Sequence, residues 1–386
     1  MKIERFEVQG HRDLAPVDWR PADLTVLEGA ARTALAEAVF TLASVPRGWS
    51  DLGQFYGALD LPPRSHPSSG EAHTTRWRLT CAPRGDALDG LSTEYELGIY
   101  PPAGELSWEI RYEFLRRFDD FNEVSVLSRE GASGRYELSK LPRGAPPRRA
   151  GRETFAGDIP VLGARQELFD DPAVRPFAQP LALWSWYRGF DVTPGSDARA
   201  DRAFPGFHER LIEGGGNLIN ALLNLHDLEQ TRPGLHDLAR AAVPGFEGLQ
   251  FGRGDKGEVT FALRVSGREL RPADLEAEAL RALCAAAAVS ATDPPPLCWF
   301  EPQTWAGVPP EALPRFADRL LRLSARAHVV LAEPPPALVE AVAEARGAAE
   351  LPEAWRSERI RVEFGPPEGA WESGAMHPLT ALSTAP

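Results

Sequence analysis

The chain has 386 residues, 43% of them hydrophobic, and a formal net charge of −13. A prior of roughly 100 to 200 residues per domain allows one large core or two modest ones. The acidic balance argues against autonomous binding to nucleic acid or anionic membrane and leaves room only for a local basic patch.

Lys2, Lys140 and Lys256 are the only lysines, so nearly all positive charge is guanidinium. Cys81, Cys284 and Cys298 are far apart in apolar or strand-like surroundings. They read as buried reduced thiols of a cytosolic protein, with neither zinc spacing nor a disulfide framework. Met1 is followed by a charged, alternating segment rather than an apolar signal region, and no run of about 18 apolar residues occurs. Both features predict a soluble, cytoplasmic chain with no membrane association.

In chain order, "KIERFEV" (2–8) alternates as a half-buried strand does, and "LTVLEG" is a short apolar strand ending on Gly29. Leu35, Val39 and Leu42 recur at helical spacing, which predicts a helix over 30–44. Strand-like runs between about 74 and 140 ("TTRWRLTC", "TEYELGIY", "LSWEIRYEFLRRF", "RYELSKL") predict an antiparallel lobe. "GAPPRRAGRE" (144–153) reads as a connector. From 166 to 245 the pattern turns helical, including "GGNLINALLNLHDLEQ" with Leu218, Leu222 and Leu225 on one face. "GLQFGRGDKGEVTFALRV" reads as a hairpin. "DLEAEALRALCAAAAV", "PLCWFEP", "PEALPRFADRLLRLSA", "HVVLAEP" and "PPALVEAVAEAR" then alternate helix and strand, which predicts parallel strands with crossover helices. "RIRVEF" is a last strand, and the Pro, Ser and Thr-rich tail is expected to fray. There is no internal repeat and no heptad pattern.

The order of these elements resembles the RecF-like and SMC-like ABC-type ATPases over residues 1 to about 345. Arg12 stands at the place of that family's "N-F-R-S-L" arginine, Gly29 where the P-loop begins, and Gly216, Asn217 and Leu218 at its "G-S-N-L". "PGFEGLQF" (244–251) is similar to the approach to the signature helix. The resemblance implies an α/β fold of the P-loop NTPase type, like an ABC ATPase head, with an antiparallel β lobe and a helical insertion. It divides the chain into an N-terminal lobe (1–150), a helical insertion or lid (151–245), a RecA-like lobe (246–350) and an extension (351–386).

Against this pattern the chemistry is missing. A P-loop, GxxxxGK[ST], wraps phosphates in backbone N–H groups and supplies a lysine and a Mg²⁺-binding hydroxyl. Counted from Gly29, these places hold Ala34, Leu35 and Ala36; Arg32 and Thr33 are the only polar side chains in the turn. The strand that should end in Asp-Glu ends in Phe300-Glu301, so Glu301 reads as a vestigial carboxylate, exposed at a strand end, without its metal partner. At the L-S-x-G signature stand Leu275, Glu276 and Glu278. A carboxylate 4 Å from a triphosphate oxygen costs on the order of 4 kcal/mol at an effective dielectric of about 20. Pro334, after Glu333, occupies the place of the γ-phosphate histidine, and His328 lies at the wrong end of its strand.

These departures predict a catalytically inactive pseudo-ATPase, with no catalytic residue, no metal and no nucleotide cofactor. Composite sites in ABC dimers combine one subunit's P-loop with the other's signature, and this chain has lost both halves. The expected role is a scaffold or regulatory subunit with a protein partner, as a homodimer or hetero-oligomer, in a bacterial system acting on DNA or in phage defence. A rival reading keeps ATP and Mg²⁺ through Arg12, Arg32, Thr33 and Glu301. Another makes "ALWSWYRGF" a partner-binding surface through Trp184, Trp186, Tyr187 and Phe190. A hydrolase finds no support, because "GWSDLG" lacks nucleophile-elbow spacing. Arg76, Arg78, Arg111, Arg116 and Arg117 on the antiparallel lobe are candidates for a basic patch, against the simpler reading of a solvated strand face.

Overall fold

The computed structural model describes residues 1–11, 14–47, 74–82, 92–100, 109–118, 123–131, 133–136, 151–154, 159–164, 171, 174–206, 210–347 and 351–364. Arg12, the "GWSDLG" segment and the C-terminal tail beyond 364 lie outside them. The chain divides into two compact units: residues 1–21, 28–184 and 359–386, and residues 22–27 with 185–358.

The first unit is built on an eight-stranded sheet. Its strands are β1 (Lys2–Gln9), β2 (Val17–Trp19), β4 (Thr75–Ala82), β5 (Ser92–Tyr100), β6 (Glu109–Phe118), β7 (Glu123–Glu130), β8 (Ser133–Tyr136) and β9 (Gly151–Thr154), in the order β2-β1-β4-β5-β6-β7-β8-β9. All its pairs are antiparallel. The strand-like run "TTRWRLTC" forms β4, in which Thr75, Trp77, Leu79 and Cys81 are buried and alternate with half-buried Arg76, Arg78 and Thr80. Helix α1 (Arg32–Ser44) is buried from Ala34 onward. The short helix α2 (Val161–Ala164) is held by the fully buried Glu113, whose carboxylate accepts the N–H groups of Val161 (2.6 Å) and Leu162 (3.1 Å) and the Tyr95 hydroxyl (2.9 Å). Burial raises the pKa of Glu113, and these three hydrogen bonds oppose the rise. Helix α3 (Arg175–Ala182) completes the unit's helices among the described residues.

The second unit carries the sheet β10-β15-β16-β3-β17: β10 (Ser185–Tyr187), β15 (Leu297–Phe300), β16 (His328–Ala332), β3 (Leu24–Glu28) and β17 (Ser357–Arg361). β10, β15, β16 and β3 pair in parallel. β15 and β16 are buried throughout, as strands covered on both faces must be, and their sequences are accordingly continuous apolar runs. Around them stand α4 (Leu218–Asp227), α5 (Arg232–Ala242), α6 (Ala277–Val289), α7 (Leu313–Ser324) and α8 (Pro336–Arg346). An antiparallel sheet of β11 (Arg202–Ala203), β12 (Phe246–Arg253), β13 (Val259–Val265) and β14 (Arg268–Leu270) includes the expected hairpin β12-β13. The reading of 151–245 as helical missed β10, because three residues are too few to show a period. Trp186 and Tyr187 instead pair with Trp299 and Phe300 at the sheet edge. Strands β3 and β17 both run from the second unit into the first.

Candidate functional site

The turn after β3 is only Gly29–Ala31, since α1 begins at Arg32. Ala34, Leu35 and Ala36 therefore lie inside the helix, buried, with Leu35 fully enclosed. Arg32 and Thr33 form the first turn, Thr33 exposed and Arg32 half-buried with its Nη1 3.4 Å from the Gly29 carbonyl. Gly29 has φ +106, and a Cβ there would meet the Val362 carbonyl oxygen at 2.1 Å. Val362 donates its N–H to Glu28 O (2.8 Å) and accepts from Ala31 N–H (3.2 Å). The segment following β17 thus closes over the turn, and Arg359 adds an ion pair to the Glu28 carboxylate beside it. The one P-loop residue still present is the one that this close approach of two backbones requires.

At the end of β15, Glu301 is 7% exposed, which overturns its reading as an exposed strand-end residue. Its Oε1 accepts the indole N–H groups of Trp186 and Trp299, each at 3.0 Å. Phe300, at the family's metal-supporting aspartate, is fully buried and stacks on Tyr187 with centroids 5.1 Å apart. Glu301 accordingly joins β10 to β15 as a buried acceptor. The paired aromatics of "PLCWFEP", next to Glu301, and of "ALWSWYRGF" were the only sequence signal of this clamp. Trp184, Trp186, Tyr187 and Phe190 are all buried, so they form core and not a partner surface.

At the start of α6, Leu275 is buried, while Glu276 and Glu278 are exposed, with Glu278 3.9 Å from Arg281. The segment ahead of the helix is held by Arg199, a residue the sequence did not single out. Its Nη1 donates to Leu275 O (2.9 Å) and Ala273 O (3.2 Å), and its Nε to Val192 O (2.6 Å). Asn217 of the "GGGNL" run ties the 210–212 loop, donating to Arg210 O (3.0 Å) and accepting from Ile212 N–H (2.8 Å). After β16, Glu333 adopts φ +39 and donates its N–H to Leu27 O (2.8 Å). His328, at the opposite end of that strand, is buried, its Nδ1 2.9 Å from Ala22 O.

Of the five arginines singled out on the antiparallel lobe, Arg76, Arg78 and Arg116 are matched by carboxylates, and Arg117 is half-buried. Arg76 lies 2.5 Å from Glu96, Arg78 between Glu7 (3.7 Å), Glu94 (3.8 Å) and Glu96 (3.6 Å), and Arg116 3.0 Å from Glu94. Arg5 extends the row, 2.7 Å from Asp18. Arg111 donates to Thr74 Oγ1. Among the described residues, Arg5, Arg76, Arg78 and Arg116 form a ladder with Asp18, Glu7, Glu94 and Glu96, whose carboxylates offset their charge toward phosphates. In the first unit, sequence reading also missed His11 and Glu37, which lie 3.9 Å apart in the core.

Among solved structures, the chain matches an SMC head bound to the C-terminal winged-helix domain of ScpA, at 11% identity and TM-score 0.50, covering 88% of this chain and 92% of that one. It also matches an SMC head from Pyrococcus furiosus with an extended coiled coil, bound to the C-terminal domain of ScpA, at 10% identity and TM-score 0.52, covering 94% of each chain. The chain has the fold of an SMC head. This is the P-loop ABC-type architecture that the order of elements implied. No protein-family model matches the sequence, and a search of curated proteins finds no match. Among the described residues no helix is long and apolar enough to cross a membrane, and no group of three or more His, Cys, Asp or Glu side chains is placed to hold a metal.

Proposed function

We propose that this SMC-head fold is a pseudo-ATPase, a non-catalytic scaffold or regulatory subunit of a bacterial multiprotein system, DNA-linked or in phage defence. The observation that carries the reading is the state of Glu301. A carboxylate that orients attacking water must face that water beside a metal-bound phosphate. Here the side chain is buried with Oε1 bound to two indoles, and a phenyl ring stacked on Tyr187 stands next to it in place of a metal-binding carboxylate. Three further features agree: the three-residue turn closed by Val362, the absence of a lysine at the start of α1, and the carboxylates at the start of α6. These residues do not fit a Mg²⁺-nucleotide, so no hydrolytic step is derived. The two matched heads were each captured with a domain of another protein, which supports a protein partner for this one.

The test is calorimetric titration with ATP and a non-hydrolysable analogue, with and without Mg²⁺. No heat up to millimolar nucleotide is expected; saturable, Mg²⁺-dependent binding sinks the proposal. One observation favours a second reading, in which nucleotide is held without turnover. Counted from the start of α1 and not from Gly29, Arg32 and Thr33 occupy the first helical turn, where a P-loop places its lysine and hydroxyl. That reading requires binding that is lost on Arg32→Ala.

A further inference from the structure

The second unit contains an open cavity of about 820 Å³, within the range of small-molecule sites. It lies where the end of β10, the 213–214 loop, α6 and the segment after β15 converge, and its walls include Trp186, Arg188, Asp191, Glu213, Arg281 and Gln303. The place is held rigidly. Trp186 is clamped through its indole to Glu301, and Gly307 brings the segment after β15 so close to α6 that a Cβ would lie 2.3 Å from Glu278 O.

The lining carries equal formal charge of each sign, but the two signs differ in what they already bind. Asp191 Oδ1 accepts both the N–H (3.0 Å) and the hydroxyl (2.6 Å) of Thr193, which lowers its pKa. Glu213 Oε1 accepts the Trp186 N–H (3.1 Å). Arg188 is exposed, lies with its guanidinium 4.9 Å from the Trp186 ring centroid, and has no carboxylate within ion-pair distance among the described residues. Among the described residues, the one ion-pair contact of Arg281 is the long 3.9 Å approach to Glu278, whose side chain is 67% exposed. A guanidinium stacked on an indole keeps its N–H edge available, and that planar fork matches the oxygens of a carboxylate or phosphate. Gln303 adds a neutral amide.

We propose that this cavity binds a small oxyanionic ligand, its carboxylate or phosphate held by Arg188 and Arg281 and its body lying toward Trp186. The site does not use the turn after β3 and stands whether or not the pseudo-ATPase reading does.

Pyrophosphate and citrate serve as separate calorimetric probes of the full chain, so that phosphate and carboxylate sources are distinguished. Saturable binding of at least one probe is expected, weakened tenfold or more by Arg188→Gln and by Arg281→Gln. Arg322→Gln, which removes an equal charge from an exposed position of α7, is expected to leave binding unchanged. Thermal unfolding of each variant checks its fold, and because Arg188 is exposed, R188Q decides the matter should R281Q fail to fold. Absence of binding at millimolar probe, binding indifferent to R188Q, or equal weakening by R322Q overturns the proposal.

Discussion

At the scale of single residues, Gly29 and Glu301 each carry a structural load that a substitution can measure. Gly29→Ala forces a Cβ into the Val362 carbonyl at a φ that L-residues rarely adopt. Such backbone conflicts are among the few single-residue changes with large effects, and a loss of about 2–4 kcal/mol is expected in urea denaturation. Glu301→Ala leaves two buried indole N–H groups without their acceptor, at about 1–3 kcal/mol for each unsatisfied donor. Glu301→Gln keeps a carbonyl acceptor and should cost well under half as much. The same pair separates structure from catalysis: in a working ATPase the Gln variant is the damaging one for turnover, whereas here neither is expected to change any background phosphate release. A fall in release with E301Q at unchanged stability contradicts the structural assignment.

At the scale of elements, α4 and α5 meet through an imidazole pair. His226 Nδ1 lies 3.2 Å from His236 Nε2, the rings stack at 19°, and Phe251 and Phe246 pack against them. Burial lowers both pKa values from 6.5; Arg232 adds to the shift at His226, and His226, Arg240 and Arg232 at His236, while Asp227 and Asp237 oppose it. The unfolded chain therefore binds more protons than the folded one below about pH 6.5. Stability should be flat above that pH and fall as pH drops through it, down to the lower folded-state values. Urea midpoints at pH 7.5, 6.5 and 5.5 measure this slope, and His236→Gln should reduce it; an unchanged slope assigns the pH dependence elsewhere.

Elements also mark what could be read from sequence. The buried parallel strands β15 and β16 were legible as short apolar runs between helical segments, and β4 as a strand-like run bounded by turn residues. Strand β10 was not, and neither was the seal on the turn, because Val362 lies more than 330 positions from Gly29 and nothing local in "RVEF" points to it. The clamp on Glu301 was hidden for the same reason: Trp299 is two residues away, but Trp186 is brought in only by the β10-β15 pairing. That no lysine stands between Gly29 and Ala36 is read directly from the sequence. What packs around that turn depended on tertiary contact.

At the scale of the whole molecule, the pseudo-ATPase proposal implies assembly without a nucleotide cycle. ABC-type heads associate when nucleotide bridges one subunit's P-loop to the other's signature, so association there is ligand-dependent through linkage. In this chain the turn is closed by Val362, and Glu276 and Glu278 present negative charge at the start of α6, where a partner's triphosphate would arrive. Each close like-charge contact is worth several kcal/mol against the bridged dimer, at an effective dielectric of about 20. The molar mass in solution, measured by light scattering, should therefore be the same with and without millimolar ATP and Mg²⁺, whatever that mass is. Replacing Glu276 and Glu278 by Ser and Gly removes the repulsion but supplies no lysine and no metal ligand, so the mass should still not respond. A nucleotide-dependent increase in the unmodified protein contradicts the scaffold reading. An increase seen only in the double variant places the block at the start of α6 alone and leaves the turn after β3 competent to hold nucleotide.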